Sequence, residues 1–179
     1  MKKLIIIIAA ALVLIVGALV TLSMVGPETS IYKLAPQVST LTQDSDDYIV
    51  YFSSPTCSHC ADLESDAVSF YNAATTSGTV DMFLVDMSQP ESRKYYTQST
   101  DVANVTYYTD EDAIPEGYDI ETFKISGTPE AIHVVDGKIV DIAIGTKGEE
   151  SPSSTGGVAN MFEDVAAENG FEYDAKINN

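Results

Sequence analysis

The chain has 179 residues, with 27 acidic against nine basic side chains and a formal net charge of −18. That length suits one domain with an appendage, and the acidity excludes a nucleic-acid binder that works by neutralising phosphate, since no basic stripe exists to release counterions. Apolar content of 45% is enough for a core, and two cysteines exclude a disulfide-dense scaffold or a four-cysteine zinc site.

Leu4 to Val25 carry no charge and follow Lys2 and Lys3. As a helix this run would be roughly 33 Å long at about 1.5 Å per residue, enough to cross a hydrocarbon core. The lysines then stay cytoplasmic, and everything after Pro27 lies on the outer side. The alternative is a cleaved signal peptide, whose apolar core is normally about 7–15 residues before a small-x-small site. Thr21-Leu22-Ser23 matches such a site only weakly. Both readings place the domain outside the cytoplasm, and the first makes it a single-pass protein of the cell membrane. Beyond that segment seven of the nine basic groups remain against all 27 acidic ones, a solvated surface that anionic lipid repels. The expected division is an anchor over 1–26, a linker and N-terminal helical segment over 27–45, and a folded domain over 46–179 with an insert at about 88–123.

After a short linker at Gly26–Thr29, a modest amphipathic stretch is predicted from Tyr32 to Leu41, limited by Pro36. Tyr48–Phe52 is a continuous apolar, β-rich run, as in a strand covered on both faces. From Ser58 to about Thr76, Cys60, Leu63, Ala67, Phe70, Tyr71 and Ala74 recur at helical spacing. Asp62, Ser65, Asp66, Ser69 and Asn72 take the opposite face, and Ser77-Gly78 ends the helix. Val80–Val85 is a second buried strand, so the first three elements make a right-handed βαβ unit with a parallel pair.

In the middle piece, Pro90–Thr97 reads as a short helix with Ser88 as a cap, and Tyr107, Tyr108 and Tyr118 as half-buried packing residues. Asn104-Val105-Thr106 is a glycosylation sequon only where the host modifies it. Ala131–Val135 and Ile139–Ile144 flank Asp136-Gly137, a hairpin signal. A Gly/Ser/Pro-rich loop follows from Gly145 to Gly157, then a helix from about Val158 to Asn169 stopped by Gly170. The order β-α-β, then β-β-α, predicts an α/β fold: a mixed sheet with helices on both faces.

The chemistry lies in Cys57-Ser58-His59-Cys60. Cysteines three apart at a helix start sit on one turn, and a bridge between them closes and opens without large backbone movement. Cys57 precedes the first turn, where unpaired N–H groups and the positive dipole end favour thiolate over thiol, making it the nucleophile. Cys60 faces inward with Leu63 and Ala67, which suits a resolving partner. His59 is placed to tune the Cys57 thiolate; stabilising the reduced form raises the potential, with about 30 mV equal to roughly 1.4 kcal/mol. Asp62, Glu64 and Asp66 push the other way, weakened by solvent screening.

These residues resemble the thioredoxin superfamily. Tyr48–Phe52 running into Ser54-Pro55-Thr56-Cys57-Ser58-His59-Cys60 is similar to its active-site strand and helix. Phe123-Lys124-Ile125-Ser126-Gly127-Thr128-Pro129 before Ala131–Val135 is similar to its cis-proline segment, and Asp136-Gly137-Lys138 to the hairpin after it. The likeness spans roughly residues 46–145 and the terminal helix. It implies that Cys57 exchanges disulfides with a client through a mixed disulfide and that Cys60 resolves it. Pro129, if cis, would face the redox-active Cys57–Cys60 bridge while the Thr128 backbone pairs with an extended client peptide. The histidine is similar to that of disulfide isomerases and periplasmic oxidases. Two departures stand out: Tyr51 occupies the place of a buried acid that aids the resolving cysteine, and Thr56 that of the usual tryptophan.

The expected activity is therefore a membrane-tethered thiol–disulfide oxidoreductase acting on exported proteins and reset by a redox partner, oxidase or isomerase rather than reductase. It calls for no bound cofactor or metal. One rival is a chaperone for copper or another soft ion held by Cys57 and Cys60 with His59 or His133 as third ligand, although His133 in Ile132-His133-Val134 suits a core histidine. The other rival is an inert accessory domain with a structural bridge, disfavoured because so short a loop constrains little chain entropy.

Overall fold

The computed structural model describes residues 30–96, 120–146 and 157–176. The expected anchor over Leu4–Val25, the linker Gly26–Thr29, the Asn104 sequon, Tyr107, Tyr108 and Tyr118, and most of the loop between Gly145 and Gly157 lie outside the described residues. Among the described residues no helix is long and apolar enough to cross a membrane.

The elements run α1 (Ile31–Leu34), β1 (Asp47–Ser53), α2 (Ser58–Ser77), β2 (Asp81–Asp86), a 3-10 helix (Pro90–Tyr95), β3 (Glu130–Val135), β4 (Lys138–Ile144) and α3 (Val158–Glu168). The four strands form one mixed sheet in the order β2-β1-β3-β4. β1 and β2 are parallel, with Tyr51 opposite Leu84, while β3 runs antiparallel to both β1 and β4. A mixed four-stranded sheet of this order, with helices packed against it, fits the thioredoxin-like fold.

β1 is central, which explains its unbroken apolar run: side chains alternate between faces, and both faces are covered. Ile49 and Tyr51 join Leu63, Ala67 and Phe70 of α2 and Phe162 of α3 in one cluster. Tyr48, Val50 and Phe52 join Val85, Tyr95, Phe123 and Ile125 in a second cluster on the opposite face. The helices meet through Phe70 and Phe162, stacked at 4.6 Å between ring centroids. The hairpin turns on Asp136 (φ 51°) and Gly137 (φ 74°), left-handed conformations in keeping with a tight two-residue turn. Gly78 closes α2 in the same region, at φ 68°.

Three expectations need correction. The stretch Tyr32–Leu41 is helical only within Ile31–Leu34; Pro36 cannot continue the helix. The chain instead runs extended along the outer edge of β2, where Leu84 N donates to Pro36 O and Val38 N to Leu84 O, both at 2.9 Å. Ser88 does not cap the next helix, whose first flanking residue is Gln89. It turns back, and both its backbone N and its Oγ donate to Asp86 Oδ1. Asp66, assigned to the polar face of α2, is buried because the C-terminal tail folds over that face: Lys176 N donates to Asp66 Oδ1 and Asp174 N to Ser69 Oγ.

Candidate active site

The parallel pair and its connecting helix place the N-terminus of α2 at the C-terminal end of β1. Ser54-Pro55-Thr56 makes the turn, with Cys57 N donating to Ser54 O at 3.1 Å. Cys57 is the N-cap, in extended conformation, and its Sγ accepts the Cys60 N–H at 3.2 Å. A sulfur thus takes the role usually filled by a Ser or Asp oxygen, satisfying one of the helix's unpaired donors. Cys57 is partly exposed and Cys60 is buried, both as free thiols.

From across the fold, the segment before β3 closes on this turn. The Thr128–Pro129 peptide is cis, and the Cys57 thiol donates to Thr128 O at 3.3 Å. The structure therefore gathers Cys57, Cys60 and Thr128, with Pro129 buried directly behind Thr128. His59 is the second residue of α2 and its side chain is exposed; its backbone N–H is what acts on Cys57.

The two thiols are driven apart electrostatically. Partial burial pushes Cys57 up, but hydrogen bonds from the Cys60 and Thr128 side chains and from the Cys60 and His59 N–H groups outweigh it, leaving its pKa below the ordinary thiol value. Burial pushes Cys60 up, and its hydrogen bond to Cys57 pushes it further; the Ser54 N–H and the Ser53 and Thr128 side chains oppose this without cancelling it. The chemical consequence is a division of labour: an accessible sulfur that ionises readily beside a sheltered one that keeps its proton.

Several neighbours were not singled out from sequence. Tyr96, brought alongside by a parallel bridge to Ile125, is 37% exposed, and burial pushes its hydroxyl above the ordinary tyrosine value. Nothing in its local sequence marks it. Glu130, directly after Pro129, is 2% exposed and accepts Ser126 N at 3.0 Å and Ser126 Oγ at 3.3 Å, so it anchors the segment that presents Thr128. Burial pushes its carboxyl up to about 7, against the pull of the Ser126 and Gly127 N–H groups. A lone acid opening an apolar strand was the signal for it. At the end of β1 the Ser53 hydroxyl meets that of Tyr32 from α1, 2.6 Å away.

His133 sits further along the sheet, opposite Ile49, and its Nε2 pairs with Asp47 Oδ1 at 2.8 Å. It is a satisfied core histidine. Among the described residues no three His, Cys, Asp or Glu side chains converge as a metal site.

No family model matches the chain, and no curated protein matches it either. The solved structures to which it is similar include the oxidised form of mitochondrial thioredoxin 3 from Saccharomyces cerevisiae, at 15% identity over 64% of this chain and 87% of that one, with a TM-score of 0.40. Thioredoxin f2 from Chlamydomonas reinhardtii is similar at 12% identity over 76% of this chain and 94% of that one, TM-score 0.41. Thioredoxin NaTrxh from Nicotiana alata is similar at 14% identity over 76% and 92% respectively, TM-score 0.41.

Proposed function

We propose that the protein is a thiol–disulfide oxidoreductase that exchanges disulfides with exported or cell-surface proteins, held at the outer face of the cell membrane by Leu4–Val25. The observation that carries this reading is the Cys57 sulfur capping α2 at 3.2 Å from Cys60 N, with Cys60 buried one turn on. A helix N-terminus stabilises the anionic sulfur that disulfide exchange requires.

In the reducing direction the Cys57 thiolate attacks a client disulfide, forming a Cys57–client bond and releasing one client thiolate. Cys60 then attacks Cys57, forming the Cys57–Cys60 bond and releasing the second client sulfur. The client gains two electrons and the pair loses them. Oxidation of a client dithiol is the same path reversed. A reduced Cys57 thiol occupies the Thr128 carbonyl; an ionised sulfur cannot donate, so deprotonation frees that carbonyl for the N–H of an extended client strand passing Pro129. The exposed His59 imidazole adds positive charge near Cys57 when protonated, which favours the reduced pair and hence an oxidising role. The compartment outside the membrane favours the same direction, with an oxidant partner restoring the bridge.

Cys60→Ser, which removes the resolving sulfur, should accumulate a Cys57–client adduct that reductant dissolves, whereas Cys57→Ser should form none. A Cys60→Ser protein that captures no disulfide substrate would overturn the assignment.

A further inference from the structure

The loop Ser126-Gly127-Thr128-Pro129 forms the edge of the site across from Cys57, and its own main chain does little to hold its shape. It is pinned at both ends: Ile125 N donates to Tyr95 O at 2.8 Å, and Gly145 N donates to Pro129 O at 2.9 Å where β3 begins. Between these points Gly127 is conformationally permissive and Pro129 has no N–H to give. The Thr128 N–H has no partner among the described residues, while the Thr128 carbonyl accepts the Cys57 thiol at 3.3 Å. An exposed donor and acceptor on one residue are what an added strand pairs with.

A side chain closes this loop. Glu130 Oε2 accepts Ser126 N at 3.0 Å and Ser126 Oγ at 3.3 Å, reaching back past Thr128. Glu130 lies opposite Phe52 in the antiparallel β1–β3 pair, and opposed residues share a face. The carboxyl is therefore on the side of the sheet that buries Phe52, Tyr95 and Phe123, away from α2. It is 2% exposed, and burial there disfavours its charged form. An apolar residue opposite Phe52 would carry no such cost, so the contribution of the acid at this position is its hold on Ser126.

We infer that Glu130 is a positioning residue for client recognition: by clamping Ser126 it fixes the Thr128 main chain where an extended peptide pairs, and so selects disulfides borne on a peptide strand over small disulfides. The inference rests on the oxidoreductase reading above and deepens it. With the clamp made, an incoming strand meets a donor and an acceptor already in place and loses less binding energy to ordering the loop. A small disulfide has no main chain to pair, so its reaction draws on the Cys57 thiolate without that contact.

The test mixes the full chain, reduced and in mild non-ionic detergent, with an excess of either of two disulfides. One is a symmetrical nitroaryl disulfide. The other is an extended peptide whose single cysteine carries the same nitroaryl thiol. In both, Cys57 attacks one sulfur, the new mixed disulfide forms, and the coloured nitroaryl thiolate leaves with the electron pair, so the first release is read identically. The quantity compared is the ratio of the two rate constants, peptide over nitroaryl. Glu130→Met, apolar and of similar length, should lower that ratio by roughly three- to tenfold, the range spanned by one weakened hydrogen bond. Glu130→Gln, which keeps a carbonyl toward Ser126, should restore it to within about twofold. Ser126→Ala, at an exposed residue, removes one of the two donors and should lower the ratio by about twofold, which carries the test if Glu130→Met does not fold. A peptide N-methylated at the amides flanking its cysteine should give a low ratio in the parent and no further fall in Glu130→Met. An unchanged ratio in Glu130→Met and Ser126→Ala would overturn the inference, as would a Gln variant as low as Met or an equal further fall with the N-methylated peptide. A parent chain that releases no thiolate from either disulfide would instead overturn the oxidoreductase reading, and this inference with it.

Discussion

Replacing Glu130 by glutamine should change how the stability of the fold depends on pH. The Glu130 carboxyl, buried behind the cis-proline segment, ionises at about 7 instead of its ordinary 4.5. Its folded value is raised, so the stability it contributes is fully present below about pH 4.5 and is lost as pH rises through 7. At roughly 1.4 kcal/mol for each pH unit of separation, the loss amounts to about 3 kcal/mol. Ser126 N and Ser126 Oγ both donate to the same oxygen, Oε2. The carbonyl of a glutamine can therefore keep those two bonds while its buried NH2 group costs about 1–3 kcal/mol if unpaired. The absolute stability of Glu130→Gln is set by that balance, but its pH dependence is not. Urea unfolding at a series of pH values should show the stability difference, variant minus parent, moving in favour of the variant by about 3 kcal/mol between pH 4 and pH 8. Contributions from Asp86, Cys57 and other groups are common to both proteins and cancel. A difference that stays constant across that range would mean that Glu130 does not take up its proton more tightly in the folded state.

Two further outcomes follow from the site and the core. In a Cys60→Ser background, the rate of Cys57 alkylation should rise through an apparent pKa below the ordinary thiol value, and Thr128→Val should shift that profile upward by removing a side-chain donor; profiles that coincide would contradict the role given to Thr128. Phe70→Ala removes a ring stacked 4.6 Å from Phe162 and fully buried between α2, α3 and β1, so it should destabilise the fold by about 3–5 kcal/mol in urea unfolding.

The sheet and its helices were legible because their signals are local. Tyr48–Phe52 has the continuous apolar, β-rich run expected of a strand buried on both faces, and Asp136-Gly137 supplies the positive φ angles its turn requires. Cys57 could be placed at a helix start from the break at Ser54-Pro55 and the apolar spacing after Cys60. What escaped depends on distant partners. Asp66 looks solvated until the C-terminal tail covers it, and Ser88 looks like a cap until Asp86 claims it. Tyr96 reaches the site only through pairing with Ile125. Tyr51 stands where the resemblance leads one to expect a buried acid, but the pairing of Tyr32 with Ser53 joins α1 to β1 with no sequence pattern to announce it.

The proposed function requires that Cys57 and Cys60 interconvert reversibly between dithiol and disulfide. Equilibrating the chain in glutathione buffers of graded ratio, quenching with an alkylating agent and weighing the products measures this directly. The expected result is a single two-electron transition to an intramolecular disulfide, with a midpoint above the thioredoxin value of about −270 mV and toward those of isomerases and oxidases. Cysteines that stay reduced across the whole range, or that each take up glutathione without joining to one another, would contradict it.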